Sequence, residues 1–208
     1  MANSGIFNVD DIEYLKSLEQ WSGDNKSLEL IETVEISSST ASYDFLDIKQ
    51  FDYSAHLILM NNFTPVTSSH RFAVRVFNNG TIQTANYRTA TTIMYDSGSY
   101  SDSRSTSQNA LRLGTNPSNT AGNTANGYMW IFNAGNGQKQ TSAFNYSAGI
   151  YYSGGHLFSE FGSADTSSED LVDGFRVLIY GASGNIAKVN VSLYGLKDFP
   201  NYIGRNIS

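Results

Sequence analysis

The sequence predicts an all-β protein: an antiparallel jelly-roll-like β-sandwich with a short N-terminal helical arm. Three observations lead there. From Leu28 onward, roughly ten segments alternate apolar with polar residues and are rich in β-branched and aromatic side chains. No strand-helix-strand alternation is present that would build a parallel sheet. The connections between segments are uneven in length, which suits a jelly roll better than an up-and-down barrel. All-β domains of roughly 200–250 residues commonly form one unit, so the 208 residues divide into an arm (1–24), one sandwich (25–199) and a tail (200–208).

The arm is read from "FNVDDIEYLKSLEQWSG". Asn8 can cap a helix, and Asp10 and Asp11 sit in its first turn at the positive end of the dipole. Phe7 is placed to staple onto Ile12. Ile12, Leu15 and Leu18 then recur at helical spacing, Tyr14 and Trp21 widen the apolar face, and Gly23 ends it. Such aromatic content makes Phe7, Ile12, Tyr14, Leu15, Leu18 and Trp21 candidate anchors on a partner; packing on the chain's own sandwich is the competing role.

The period then changes to two. "LELIETVEI" opens the series, followed by "SYDFLDI", "HLILMNNF", "RFAVRVFN", "TIQTANYRTATTIMY", "GYMWIFNAG", "SAFNYSAGIYY", "HLFSEF", "FRVLIYG" and "IAKVNVSLYGL". "NNG" at 78–80 is a tight-hairpin signal, and "GASGN" at 181–185 predicts the last hairpin. Pro65, Pro117 and Pro200 fall where no ladder hydrogen bond is needed. The polar runs "DSGSYSDSRSTSQ" (96–108) and "GTNPSNTAGNTANG" (114–127) are expected to be surface loops. In the closing segment Val189, Val191 and Leu193 alternate inward. Tyr194 is expected to cap the sandwich edge, and Gly195 to let the chain turn away.

Composition narrows the function classes. With no cysteine, neither disulfides nor thiolate metal sites can form, which suits assembly in a reducing cytoplasm. A net charge of −6 opposes binding to phosphate backbones, so nucleic acid is not an expected partner. The N-terminus lacks a basic region followed by an apolar core, so no secretory leader is expected. No run approaches the ~20 apolar residues of a membrane span, so no membrane partner is expected either.

Candidate chemistry is sparse, and the chain is expected to be non-enzymatic, without metal or cofactor. His56, His70 and His156 stand at strand starts with no zinc-ligand spacing. "GNGQKQT" (135–141) fails as a phosphate loop because Gln138 separates the glycine from the lysine, so it reads as a turn. No G-x-S-x-G elbow exposes a serine. Glu160 and Asp173 are the only carboxylates that stand out as a potential acid/base pair. Solvent-facing positions on alternating strands are expected for them instead. "SADTSSEDLVDG" (163–174) gathers oxygen ligands without the spacing of a calcium loop.

Three stretches carry a likeness: "LIETVEISSSTASYDF", "FDYSAHLILMNNFTPVTSSHRFAVRVFNNGTIQTANYR" and the closing "SLYGLK". Together, across residues 30–197, they resemble a family of bacteriophage virion structural proteins, especially those of marine phages. The resemblance implies a jelly-roll-like sandwich, usually trimeric, serving as head decoration (cement) protein, head fibre or tail component. It implies no catalytic residues. The leading expectation is a trimeric capsid decoration protein, assembled in the host cytoplasm into the virion, whose partners are its own copies and the major capsid protein. The second is a tail or receptor-binding component recognising host glycan, with Tyr95, Tyr100 or Trp130 as stacking platforms. A glycan-degrading enzyme using Glu160 as acid is the third.

Deleting residues 1–22 is expected to leave a folded sandwich that no longer joins capsids. Co-sedimentation with shells checks this, and normal binding by the truncated chain would remove the arm as anchor.

Overall fold

Two antiparallel sheets share one apolar core, and their strands follow the sequence alternation closely. The computed structural model describes residues 28–114, 116–180 and 184–197. The arm, with its expected anchors Phe7, Ile12, Tyr14, Leu15, Leu18 and Trp21, lies outside the described residues, as do the tail and part of "GASGN". The compact body runs from Leu28 to Lys197.

Among the described residues there are thirteen strands and no helix: β1 (Leu28–Ile36), β2 (Ser42–Phe45), β3 (Ala55–Pro65), β4 (Phe72–Asn78), β5 (Thr81–Ile82), β6 (Tyr87–Tyr95), β7 (Tyr100–Gln108), β8 (Leu111–Leu113), β9 (Ala125–Phe132), β10 (Ser142–Ile150), β11 (Leu157–Asp165), β12 (Val172–Ile179) and β13 (Ile186–Leu196). The larger sheet runs β1-β13-β3-β9-β10-β11-β6-β7. The smaller runs β2-β12-β4-β5, with β8 also paired to β4.

The core forms where the inward residues of both sheets meet. Ile58, Met60, Met129, Val189, Val191 and Leu193 come from the larger sheet, and Phe45, Val74, Val76, Phe175 and Val177 from the smaller. Phe63 and Phe72 meet edge to face, with ring centres 5.3 Å apart. Tyr87 is fully buried, yet its hydroxyl accepts the Val76 N–H (3.0 Å) and donates to the Gln83 carbonyl (3.1 Å), so its polar end is satisfied.

Local irregularities have residue-level causes. The Asn79-Gly80 pair, with φ of 50° and 74°, makes the expected tight turn between Asn78 and Thr81. In β3 the register slips between Met60 and Phe63; Asn62 takes φ 57°, and its N–H is held by the Asn126 side chain at 2.8 Å. "TIQTANYRTATTIMY" is two strands, β5 and β6, divided before Tyr87, where Asn86 has φ 66°. The expected loop at 96–108 is mostly β7. That strand lies at the outer edge of its sheet and has no core face to fill, so it carries Ser, Thr and Asp where an inner strand would carry apolar residues.

The closing segment departs from expectation. β13 does not lie at an edge; it pairs with β1 on one side and β3 on the other. Tyr194 lies on the sheet surface between Leu30 and Leu57, and Gly195 remains inside the strand. Its reason is close approach: a Cβ there would stand 2.3 Å from the Tyr53 ring. That ring crosses Gly195 so that its hydroxyl donates to Glu29 of β1 at 2.9 Å. Burial, with the Glu29 carboxylate beside it, pushes the Tyr53 phenol up to about 12.

Replacing Gly195 by Ala is expected to destabilise the fold by about 1–3 kcal/mol, the usual cost of overpacking. Denaturant melts measure it, and the cost should shrink when Tyr53→Ala is added. An additive double variant would mean the two residues do not collide.

Candidate functional site

The two faces of the larger sheet differ in an informative way. Met129 and Ile131 point into the core, so Tyr128, Trp130 and Phe132 of β9 must point outward. Their cross-strand partners in β10 are Tyr146, Phe144 and Ser142, and Phe161 of β11 lies opposite Tyr146. Toward the other edge the same face of the sheet continues through Leu57, which is buried, then half-buried Tyr194 and exposed Leu30. Phe144, Tyr146 and Phe161 remain 40–48 % exposed. This is a contiguous aromatic band with no covering element among the described residues.

The band ends in a cleft of about 760 Å³ toward β6 and β7. Phe132 and Phe144 form one wall, their rings stacked 25° from parallel with centres 5.8 Å apart, and Trp130 stacks in turn on Phe132, 18° from parallel with centres 6.4 Å apart. The facing wall is polar. Arg88 donates to both Asp165 carboxylate oxygens (2.7 and 2.6 Å) and to Gln140 (2.7 Å), and Arg104 of β7 lines the cleft without an ion-pair or hydrogen-bond partner among the described residues. The carboxylate holds the Arg88 guanidinium firmly protonated. Ser163 and Ser142 complete the floor.

Beneath this end, the inner face of β10, β11 and β6 is polar where the rest of the sheet is apolar. Asn145, Ser147, Thr89, Thr91 and Glu160 are all buried there. Glu160 is thus not solvent-facing; it is fully buried, and neither carboxyl oxygen completes a well-formed hydrogen bond. Burial pushes its pKa up, while the guanidiniums of Arg71 and Arg112 and the Thr91 side chain pull it down by less. Arg112 of β8 is also buried. It donates to Ser103 (2.8 Å) and lies 5.6 Å from the centre of the Tyr180 ring, and burial lowers its pKa.

The residues singled out in the sequence fall at separate places. Of the glycan platforms, Trp130 adjoins the cleft, and Tyr100 is 75 % exposed at the start of β7. Tyr95 packs edge to face on Tyr151 at 5.1 Å and is partly buried against the core. Glu160 and Asp173 stand on different sheets. His56 is buried with Nε2 2.8 Å from the Ile48 carbonyl, His70 bonds the Thr67 carbonyl (2.9 Å), and His156 pairs with Asp96 (2.9 Å). "GNGQKQT" is a turn, as expected. The cleft residues Arg88, Arg104 and Phe144 were missed, and Asp165 was read only as one of the oxygen ligands in the run 163–174; the available signal was the period-two aromatics of "YMWIF" and "FNY". No family model, curated protein or solved structure matches the chain.

Because Glu160 holds its proton more tightly folded than unfolded, its stabilising contribution is present below the ordinary carboxyl value and is lost as pH rises through the raised one. Glu160→Gln is therefore expected to gain stability over the wild type as pH rises above the ordinary glutamate value of about 4.3, by at most about 1.4 kcal/mol per pH unit. Denaturant midpoints at rising pH test this. A variant that falls behind as pH rises would show instead a charged Glu160 stabilised by its arginines.

Proposed function

We propose that this chain is a non-enzymatic virion structural protein built on a jelly roll, acting as a trimeric decoration protein of a phage head. The observation that carries the reading is the nesting of its strand pairs. β1 pairs with β13, β2 with β12, β3 with β9 and β4 with β8. A long antiparallel hairpin wrapped around a core gives that order, with β1-β13-β3-β9 facing β2-β12-β4-β8. Two such Greek keys make a jelly roll, an architecture common in viral shells. The remaining strands, β5 to β7 and β10 to β11, are then insertions, and all but β5 widen the larger sheet on one side.

The aromatic band supports the assembly part of the reading. Monomeric proteins rarely leave contiguous apolar surface of more than a few hundred Å² uncovered. An isologous or ring-forming contact between copies would cover the part of the band around Leu30, Tyr194 and Tyr128, which no described residue covers, and leave the cleft end at Phe132 and Phe144 open. Stabilisation of the head would follow from repeated burial of this surface at copy and capsid contacts. The polar edge strand β7 favours contact through faces over strand-to-strand pairing.

Light scattering on the purified protein is expected to give three times the 22.8 kDa chain mass, and Leu30→Ser with Tyr128→Ser to lower it. In purified virions, quantitative mass spectrometry should count hundreds of copies in a fixed ratio to the major capsid protein. Absence from particles would end the virion reading; a dozen copies or fewer would move the protein to the tail.

A further inference from the structure

We propose that the cleft between the aromatic band and β7 is a binding site for an acidic saccharide, a chain containing hexuronic acid units. Its shape and lining fit such a ligand independently of where the protein sits. A volume of about 760 Å³ lies within the few hundred to about 1,000 Å³ of ligand sites. A pyranose ring has a flat, weakly positive C–H face and a rim of hydroxyls, so it needs an aromatic plane below and paired polar groups at its edge. The stacked rings of Phe132 and Phe144 line the cleft, and Phe144, 43 % exposed, supplies the plane. Their electron-rich faces attract C–H groups as they attract cations.

The polar wall supplies the rest. Arg88 and Asp165 hold each other by two short hydrogen bonds, and Gln140 fixes the guanidinium further. A ligand therefore meets these groups already ordered, with little rotamer entropy left to lose. Asp165 has spare acceptor capacity for a vicinal hydroxyl. Arg104 is different, since no described group neutralises it, and with Arg88 and Asp165 it leaves the cleft with one net positive charge. In a protein of net charge −6, a local positive surplus beside a sugar-sized aromatic platform selects a carboxylated sugar, whose planar anion matches the guanidinium fork.

The test is calorimetric titration of the full chain with a hexuronate tetrasaccharide, a neutral hexose tetrasaccharide of the same linkage and its sulfated form. The hexuronate is expected to bind best. Arg104→Ala should weaken it about tenfold and erase its advantage over the neutral sugar. Phe144→Ala should weaken both sugars, and Phe51→Ala, a substitution at an exposed aromatic elsewhere (74 % exposed), neither. Thermal melts and light scattering confirm that each variant keeps its fold and mass. No heat from any of the sugars at about 10 mM, equal binding by the Arg104 variant, or a preference for the sulfated sugar would overturn the assignment. So would loss of binding in Phe144→Ala that merely accompanies a change in oligomer mass.

Discussion

Everything else in this fold depends on the last strand being held in the interior of the larger sheet. β13 makes its ladder with β1 on one side and β3 on the other, so the backbone ladder of the first strand runs only to the last. Pairing across nearly the whole chain carries a large loop-closure cost before its contacts repay it. The sequence meets that cost with a strand that is apolar inward along most of its length, at Ile186, Val189, Val191 and Leu193. Tyr53 adds a tie across the top: it lies flat over Gly195 and reaches Glu29, linking all three strands near one end. The Tyr-Gly pair near the C-terminus is thus a packing device, and the glycine is there for Tyr53 to cross.

The larger sheet has two halves with different physics. Under β13, β3 and β9 the interior is aliphatic and aromatic, and dispersion with solvent exclusion holds the layers together. Under β10, β11 and β6 it holds Glu160, Ser147, Asn145 and two threonines, several with unpaired polar atoms. Such a layer contributes less to stability than apolar packing. The outer surface reverses the contrast, because the aromatic residues that a sealed interior would use stand outside on β9, β10 and β11. A protein that keeps polar groups inside and aromatics outside on the same strands has its surface shaped by something other than folding.

Legibility in the sequence follows from how one-sided each strand is. β4, β12 and β13 carry dense apolar runs between turn residues, and the class, the antiparallel arrangement and the Asn79-Gly80 turn could be read directly. β9 and β10 could be recognised as strands but not oriented, because "YMWIF" and "AFNYS" are apolar on both alternations. That ambiguity hid the cleft. It also hid Glu160, which shares a face with buried Phe158 while Phe161 on the opposite face is exposed. β7 was lost for the reverse reason: a strand whose two faces meet solvent has the composition of a loop.

The pairing of Leu28 with Leu196 brings the two ends of the body to one corner of one sheet. Geometrically the body is a closed circuit with a single narrow gap, so its start and finish are interchangeable with other breaks in the chain. A short link across that corner and a new opening at the Asn79-Gly80 turn would preserve every strand pairing.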